Sequence, residues 1–213
     1  MKLCVFGGTG ATGSNVIRVA KTKGYDVIAL ARRPDVLRNL FPDIQVVPGD
    51  VFKPETIQAA IIDSDAVIST LGPVGRARET SIYSEGVMNI ALAMKELGRR
   101  RLIVGASIIG IDPHPDAAWY TWILAKLILI PLLGYQYRDT AEMKEKLKQF
   151  DDLDWTLVGL PRLTNGEAKG KFRSSIGKPL HHPSSISRAD LADYLVSIIN
   201  EPTTYRQSTE VSW

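Results

Sequence analysis

The sequence is poor in cysteine and histidine. One cysteine, Cys4, and three histidines occur among 213 residues. A single cysteine excludes a disulfide within the chain and is typical of a reducing compartment, so we expect a cytoplasmic protein. Cys4 lies in an apolar run, and we interpret it as a small core residue rather than a nucleophile. His181 and His182 are adjacent, but no third ligand has a suitable spacing, so no metal site is predicted.

Strong charge bias is also absent. The chain has 26 lysines and arginines against 23 acidic residues, a net charge of +3. Apart from Arg99–Arg101 the basic residues are dispersed, so we do not expect a nucleic-acid partner. The apolar run Leu3–Phe6 opens directly into glycines and does not resemble a secretory signal. With no internal repeat, low-complexity tract or linker, residues 1–213 are predicted to form one domain.

Only one long apolar segment occurs, Ala117–Tyr135. Its length approaches the roughly 20 residues that a membrane span needs. Lys126 and Pro131 interrupt it, and both argue against stable insertion in a bilayer. We interpret the segment as a buried lid or a subunit-contact helix, which leaves a homodimer open as an alternative.

Short apolar runs alternate with segments of helical periodicity. Six strands are predicted, at Lys2–Phe6, Asp26–Ala31, Ile44–Val47, Ala66–Thr70, Leu102–Gly105 and Trp155–Gly159. Four helices are predicted, over Ser14–Lys23, Ser81–Leu97, Thr140–Phe150 and from a capping box at Ser187 to Asn200. This alternation predicts the α/β class, a doubly wound Rossmann fold with a mostly parallel sheet. Residues 160–186, rich in Gly, Pro, Ser and His, are expected to form a small irregular region on the substrate side.

A glycine cluster follows the first predicted strand and opens the first helix. Gly8, Gly10 and Gly13 fit the dinucleotide-binding pattern, and Gly7, Gly10 and Gly13 form a second, overlapping spacing. In such turns one glycine permits the bend, another lets a pyrophosphate approach the backbone, and a third lets helix and strand pack closely. The helix that follows directs its unpaired N–H groups at the phosphates. The cluster therefore predicts a dinucleotide site.

The end of the second strand indicates which dinucleotide. An NAD site usually carries Asp or Glu there, to bind the ribose hydroxyls. This chain has Arg32 and Arg33 instead. A guanidinium forms forked hydrogen bonds with a phosphate, so the pair favours the 2′-phosphate of NADP(H), unless both side chains only decorate a solvated loop.

Two further strand ends carry candidate cofactor residues. Asp50 and Val51 follow the third strand, where a carboxylate can accept the adenine amino group. Asp50 has an alternative role as the cap of a helix after Pro54. Leu71 and Gly72 follow the fourth strand beside the expected switch point, where open α/β sheets bind ligands.

Several motifs together resemble the atypical short-chain dehydrogenase/reductase superfamily, in its NAD(P)-binding, NmrA-like branch. They are the opening KLCVFGGTGATG, the strand-end arginines, GDV at Gly49, STLG at Ser69, LDWTLV at Leu153, LPRL at Leu160 and ISRADLA at Ile186. The resemblance covers almost the whole chain, and size and motif order are similar to those of the flavin reductases of the biliverdin reductase B type. The joint order of the motifs is more specific than any one of them.

The resemblance implies a role for each matching position. It places the pyrophosphate at Gly7, Thr9, Gly10, Ala11, Thr12 and Gly13. The remaining cofactor positions are Arg32 and Arg33 for the 2′-phosphate, Asp50 and Val51 for the adenine, Leu71 and Gly72 for the ribose side, and Pro161 and Leu163 for the nicotinamide pocket. Ser107, at the end of the fifth strand, falls where the family has a serine near the nicotinamide.

The Tyr-x-x-x-Lys pair of most catalytic members is missing. In those enzymes the lysine lowers the pKa of the tyrosine, which transfers a proton. Here the tyrosine slot falls on Tyr137 and the lysine slot on Ala141, while Lys144 is seven residues from Tyr137. We do not expect the standard proton relay. Tyr137 is either a catalytic phenol or a packing aromatic, and Ser107 either contacts substrate or only binds backbone.

These observations favour an NADPH-dependent oxidoreductase that reduces a planar, apolar acceptor such as a flavin or quinone. Such an acceptor can take its proton from solvent, so the missing lysine is tolerated. Trp119, Tyr120 and Trp122 are suited to stack on it, or else form core or dimer contacts. The alternative is a non-catalytic NADP(H)-sensing regulator or scaffold. A sugar epimerase or dehydratase needs the tyrosine base and is disfavoured.

Overall fold

The described part of the chain is built on one large sheet. A computed structural model describes residues 1–73, 81–107, 123, 127 and 130–213. The strands in these residues are β1 Lys2–Phe6, β2 Asp26–Ala31, β3 Gln45–Pro48, β4 Ala66–Ser69, β5 Arg101–Ala106, β6 Asp154–Gly159, β7 Arg162–Thr164, β8 Arg173–Ile176, β9 Ser185–Ser187 and β10 Gln207–Ser212. All six predicted strands are confirmed.

Eight of the strands pair in the order β3-β2-β1-β4-β5-β6-β10-β8. Every pair is parallel except the one between β10 and β8, which is antiparallel. β1 lies between β2 and β4, so the chain winds outward in both directions from this point. The predicted doubly wound Rossmann fold is therefore confirmed, with its ligand crevice expected at the carboxyl ends of β1 and β4.

Helices cover both faces of the sheet. In the described residues they are α1 Ala11–Thr22, α2 Pro34–Leu40, α3 Pro54–Ile61, α4 Met88–Glu96, α5 Ile130–Leu147 and α6 Arg188–Ser197. A π-helical stretch, Ile82–Val87, runs directly into α4. α1, α2 and α6 share one apolar core, and α3, α4 and α5 share the other. The capping box at Ser187 is confirmed, since its hydroxyl accepts a hydrogen bond from the Asp190 N–H at 3.0 Å.

The side chains of β1 show why the strands read as continuous apolar runs. Leu3 and Val5 belong to one core, Cys4 and Phe6 to the other, and none of the four is exposed to solvent. Alternate residues of a strand face opposite sides, and here helices cover both sides. Burial of each large apolar side chain among them, Leu3, Val5 and Phe6, stabilises the fold by about 1.5–3 kcal/mol.

The 160–186 region is more regular than its composition predicts. β7 and β9 form a small parallel pair, and β8 pairs with β10 at the edge of the main sheet. The prediction of an irregular segment was therefore wrong for these residues. β8 (RSSI) has the polar composition of a loop, because an edge strand is held by backbone hydrogen bonds and needs no apolar face.

A buried arginine joins β5 to the end of α6. Arg101 is 6% exposed, and its guanidinium donates to the carbonyls of Ile198 and Ile199 at 2.7 Å. It also donates to the Thr156 hydroxyl at 2.8 Å. Burial lowers the pKa of Arg101 to about 10, with nearby Tyr205 and Asp154 opposing the shift. This side chain therefore binds the carbonyls of the turn that follows α6.

Candidate dinucleotide site

The glycine turn joins the end of β1 to the start of α1. Gly7 has a φ of +82°, and a Cβ on it would lie 2.9 Å from the Thr70 carbonyl. The Gly10 N–H donates to the Gly7 carbonyl at 2.9 Å and closes the turn. Directly after the neighbouring strand β4, the N–H and the hydroxyl of Thr70 each donate to the Phe6 carbonyl at 3.0 Å. The turn therefore lies tight against the carboxyl end of β4.

Gly13 allows α1 to begin directly beside this turn. A Cβ on Gly13 would lie 2.2 Å from the Gly7 carbonyl oxygen and 2.8 Å from the Thr70 hydroxyl. No side chain larger than hydrogen fits there without moving backbone. Of the two overlapping spacings, Gly7, Gly10 and Gly13 are thus the three glycines that match the roles of bend, approach and packing.

The start of α1 suits a diphosphate. Gly10 is its N-cap and supplies no side-chain hydrogen bond, and the first turn holds no acidic residue. Thr9, Gly10 and Ala11 are exposed, whereas Gly13 is buried. The first N–H groups of a helix have no acceptor within it, and the helix dipole makes this end positive. Bare backbone donors at an open turn fit a pyrophosphate.

Two exposed arginines follow β2. Arg32 and Arg33 form no ion pair or hydrogen bond with any described residue, and Arg33 is the N-cap of α2. The nearest carboxylate along the chain, Asp35, instead accepts a hydrogen bond from Arg38 at 3.2 Å. The end of β2 therefore offers two unneutralised guanidinium groups and no acid that would bind ribose hydroxyls.

Asp50 lies at the end of β3 with its carboxylate partly exposed. Its Oδ1 accepts a hydrogen bond from the Phe52 N–H at 3.2 Å. The N-cap of α3 is Lys53, which forms no side-chain cap, so the alternative that Asp50 caps this helix is wrong. The neighbouring Val51 is buried, and its carbonyl accepts from the Asn89 amide at 2.9 Å. The partly exposed carboxylate of Asp50 can therefore contact a ligand, while the buried Val51 holds the backbone of this segment in place.

The end of β4 is narrow. Leu71 and Gly72 are both half-buried. A Cβ on Gly72 would lie 3.5 Å from the hydroxyl oxygen of Tyr83, a side chain that is 6% exposed. Gly72 therefore lies beside a buried phenol, which the sequence analysis did not identify.

The nicotinamide-side positions come from three elements. Ser107 directly follows β5 and is half-buried. Pro161, between β6 and β7, is buried, and Leu163 in β7 is half-buried and packs on the core beneath α1. These three residues follow or lie just beyond neighbouring carboxyl strand ends, which is the edge that holds the glycine turn.

Tyr137 lies on α5 and is 9% exposed. Burial raises its pKa. Lys144 is two turns further along the helix, and within the described residues no hydrogen bond joins Tyr137 to Lys144 or to Ser107. A Tyr–Lys relay is not formed by these side chains. The predicted lid aromatics Trp119, Tyr120 and Trp122 lie outside the described residues.

A buried carboxylate, Asp139, was missed. Its Oδ2 accepts from the Tyr83 N–H at 2.9 Å and its Oδ1 from the Ser84 N–H at 2.7 Å. It is 4% exposed and lies on α5 one turn before the buried Met143. An acidic residue on the apolar face of a helix was the available signal, since buried carboxylates need partners.

Two absences concern the described residues only. No group of three His, Cys, Asp or Glu side chains is arranged to hold a metal ion in them. None of the helices in the same ranges has the length and apolar character of a membrane span.

A glycine turn at the switch point of a doubly wound sheet, with uncapped helix amides and arginines at the second strand end, defines a Rossmann-type dinucleotide-binding protein. Residues 7–202 match the NAD(P)H-binding family, and the chain belongs to that family. The NAD(P)-binding part of the resemblance stated above is thereby confirmed.

Similar proteins span the whole chain. The uncharacterised protein YwnB of Bacillus subtilis is 22% identical over 209 residues, covering 94% of this chain and 92% of the relative. The anaerobillin reductase ChuY from Escherichia coli O157:H7 has a TM-score of 0.80 at 20% identity, covering 100% and 97%. A short-chain dehydrogenase/reductase from Veillonella parvula, in complex with NADP, has a TM-score of 0.80 at 14% identity, covering 100% and 94%. At these identities the two structures show the shared fold.

Proposed function

We propose that this protein is an NADPH-dependent reductase of a planar acceptor such as a flavin or quinone. One observation carries the proposal: a glycine turn with open helix amides lies on the same sheet edge as two unneutralised guanidinium groups. The first arrangement suits a diphosphate and the second an additional phosphate on the adenosine ribose. The NADP complex of the Veillonella relative and the reductase activity named for ChuY agree with this combination.

Each residue has a defined task in this proposal. The amides of Ala11 and Thr12 bind the pyrophosphate, and Arg32 and Arg33 hold the 2′-phosphate. The Asp50 carboxylate accepts from the adenine, while Leu71 and Gly72 border the ribose. Ser107 donates a hydrogen bond on the nicotinamide side.

NADPH, when bound, supplies the hydride. The protein then has two tasks. It holds the acceptor against the nicotinamide ring, and it excludes water from the surface between the two rings. The half-buried Leu163 provides apolar surface for this, and the buried Pro161 supports the backbone before it. An electron-poor ring takes its proton from solvent, so the function does not require a lysine at Ala141.

The cofactor preference is tested by replacing both strand-end arginines. In the double variant Arg32→Ala/Arg33→Ala we expect the Kd for NADPH to rise about 10- to 100-fold, because hydrogen bonds to charged groups contribute about 1.5–3 kcal/mol. The Kd for NADH should stay within about twofold, since no 2′-phosphate is lost. Arg38→Ala is the matched control, because that exposed arginine already binds Asp35. Equal losses for both dinucleotides would refute the assignment.

The acceptor is tested by following NADPH oxidation with FMN and with a soluble quinone. We expect NADPH to be oxidised only when an acceptor is present. This oxidation should disappear in a variant that no longer binds NADPH. No turnover across a broad acceptor panel, with NADPH binding intact, would refute the reductase function.

A second candidate is an NADP(H)-sensing regulator or scaffold without turnover. Ala141 at the position of the usual lysine favours it, because the standard proton relay is absent. Nucleotide titration separates the two candidates. A sensor distinguishes the oxidised from the reduced cofactor by affinity and shows no acceptor-dependent oxidation.

A cytoplasmic location and a homodimer remain predictions. The exposed Ile123 and Leu127 lie in the apolar segment that suggested self-association. Light scattering on the protein as it elutes from a size-exclusion column, at several loading concentrations, measures the oligomeric state directly.

A further inference from the structure

The phenol of Tyr83 is buried and lies close to Gly72, one of the two residues assigned to the ribose side. Its ring belongs to the core beneath α3 and α4, and its hydroxyl oxygen lies 3.5 Å from the Cβ position of Gly72. Gly72 follows β4 at the crevice where open α/β sheets bind ligands. Because this residue has no side chain, nothing on Gly72 separates the phenol from a group bound against that backbone.

The backbone around Tyr83 is held by groups from another helix. Asp139 on α5 accepts hydrogen bonds from the N–H groups of Tyr83 and Ser84 at 2.9 and 2.7 Å. Lys146, also on α5, donates to the Ser84 carbonyl at 3.2 Å. A buried carboxylate that binds two consecutive amides fixes their direction. The position of Tyr83 is thus set by α5 as well as by its own helix.

The turn that carries Tyr83 is π-helical. The Gly86 N–H donates to the Ser81 carbonyl at 3.1 Å, one residue further than in an α-helix. Such single wide turns are uncommon and occur frequently at functional sites. A wide turn changes the directions in which side chains leave the helix. Tyr83, whose phenol lies beside Gly72, is part of this turn.

The protonation state suits a hydrogen-bond donor. Burial and the nearby Asp139 charge raise the pKa of Tyr83 to about 12. The phenol therefore keeps its proton at neutral pH and presents an O–H group.

We propose that Tyr83 is a positioning residue that donates a hydrogen bond to the nicotinamide-ribose half of the dinucleotide beside Gly72. This inference rests on the proposed NADP(H) site. It assigns the nicotinamide-ribose half of NADP(H) to Tyr83 on the π-helical turn. Tyr137, the tyrosine at the family's catalytic position, has no lysine partner.

The test compares a whole dinucleotide with its adenosine half. Tyr83→Phe removes the hydroxyl and keeps the ring. We expect its Kd for NADP⁺ to rise about fivefold, the equivalent of one hydrogen bond of about 1 kcal/mol. Its Kd for adenosine 2′,5′-bisphosphate, which lacks the nicotinamide ribose, should stay unchanged. A general distortion of the fold would weaken both ligands.

Tyr194→Phe is the matched control, because Tyr194 is as deeply buried, at 4% exposure, and lies on α6 behind the glycine turn's helix. It should leave the ratio of the two Kd values unchanged. Tyr83→Met provides a second apolar replacement if the phenylalanine variant folds poorly, with the same expected ratio.

The outcomes separate this inference from the function on which it rests. Equal binding of NADP⁺ by wild type and Tyr83→Phe overturns the inference and leaves the NADP(H) site standing. Equal weakening of both ligands also overturns it, because the residue then acts through the fold. Wild-type protein that binds adenosine 2′,5′-bisphosphate but not NADP⁺ contradicts both proposals.

Discussion

Two glycines of the same turn are expected to respond differently to alanine. In Gly13→Ala the new methyl group would lie 2.2 Å from the Gly7 carbonyl oxygen and 2.7 Å from its carbonyl carbon. Both are backbone atoms of a turn packed against Thr70, so α1 has to move. Overpacking of this kind costs about 1–3 kcal/mol, and we expect a loss of folding stability at the upper end of that range. Dinucleotide binding should be lost as well.

Gly10→Ala is expected to affect ligand binding much more than stability. Gly10 has φ −79° and ψ 160°, which alanine adopts without strain, and its Cβ would meet only the Gly7 carbonyl oxygen, at 3.2 Å, so the turn has to give by a few tenths of an ångström. The free energy of unfolding should therefore fall by about 1 kcal/mol or less, clearly less than in Gly13→Ala. The methyl group would, however, lie on the exposed face of the turn where a pyrophosphate approaches the backbone. We expect the Kd for NADPH to rise about tenfold or more.

The assay is urea unfolding followed by circular dichroism, together with NADPH titration by fluorescence. Gly166→Ala serves as the control, because its Cβ would meet only the Thr164 hydroxyl at 3.8 Å, an ordinary contact. It should change neither quantity. A Gly10→Ala protein that binds NADPH like wild type would refute the assignment of this turn to the pyrophosphate. A Gly13→Ala protein of unchanged stability would refute the packing argument.

Three further predictions concern stability and reactivity. Arg101→Met should lower the free energy of unfolding by about 3–5 kcal/mol, because the Ile199 carbonyl and the hydroxyls of Thr156 and Thr204 each lose a buried donor, at about 1–3 kcal/mol for a group left unpaired. A loss below about 1 kcal/mol in urea unfolding contradicts this. At Asp190, burial raises the pKa, but hydrogen bonds from Lys169, Trp213, Gly170 and Ser187 outweigh it and hold the pKa below its usual range. Its contribution is therefore complete above the unfolded value of about 3.9 and is lost as the pH falls through the folded value, so Asp190→Asn should be less stable near neutrality and decline less in acid. Cys4 is fully buried, and burial raises its pKa, so thiol reagents should modify it only after unfolding; rapid labelling of the native protein would show otherwise.

The sequence was sufficient to predict the interior of the sheet. Central parallel strands such as β1 and β5 are buried on both faces, and this leaves a continuous apolar run that is visible without any partner. β10 (QSTEVS) and β8 (RSSI) leave no such run. They are strands because their backbones pair with distant segments, β6 and each other, and the local sequence does not record that pairing.

The same distinction holds for the site. The glycine turn was predictable because the glycines that allow the bend, the approach of the pyrophosphate and the packing of α1 lie within seven residues of each other in the chain. The contacts of Asp139 with Tyr83 and Ser84 were not, because about 55 residues separate the partners. Whether Arg32 and Arg33 are neutralised also depended on the structure, since Asp35 lies close enough in sequence to have paired with either.

The position of β10 affects how the protein forms during synthesis. β10 lies between β6 and β8, and its residues, Gln207–Ser212, are translated after both of those strands. Until they leave the ribosome, β6 presents an unpaired edge to other chains. Helix α6, which covers the back of α1, also emerges late. The glycine turn is therefore synthesised early, whereas the strand that covers the edge of β6 is synthesised late. Between these two points the nascent chain is most prone to aggregate, and a chaperone would be most useful then.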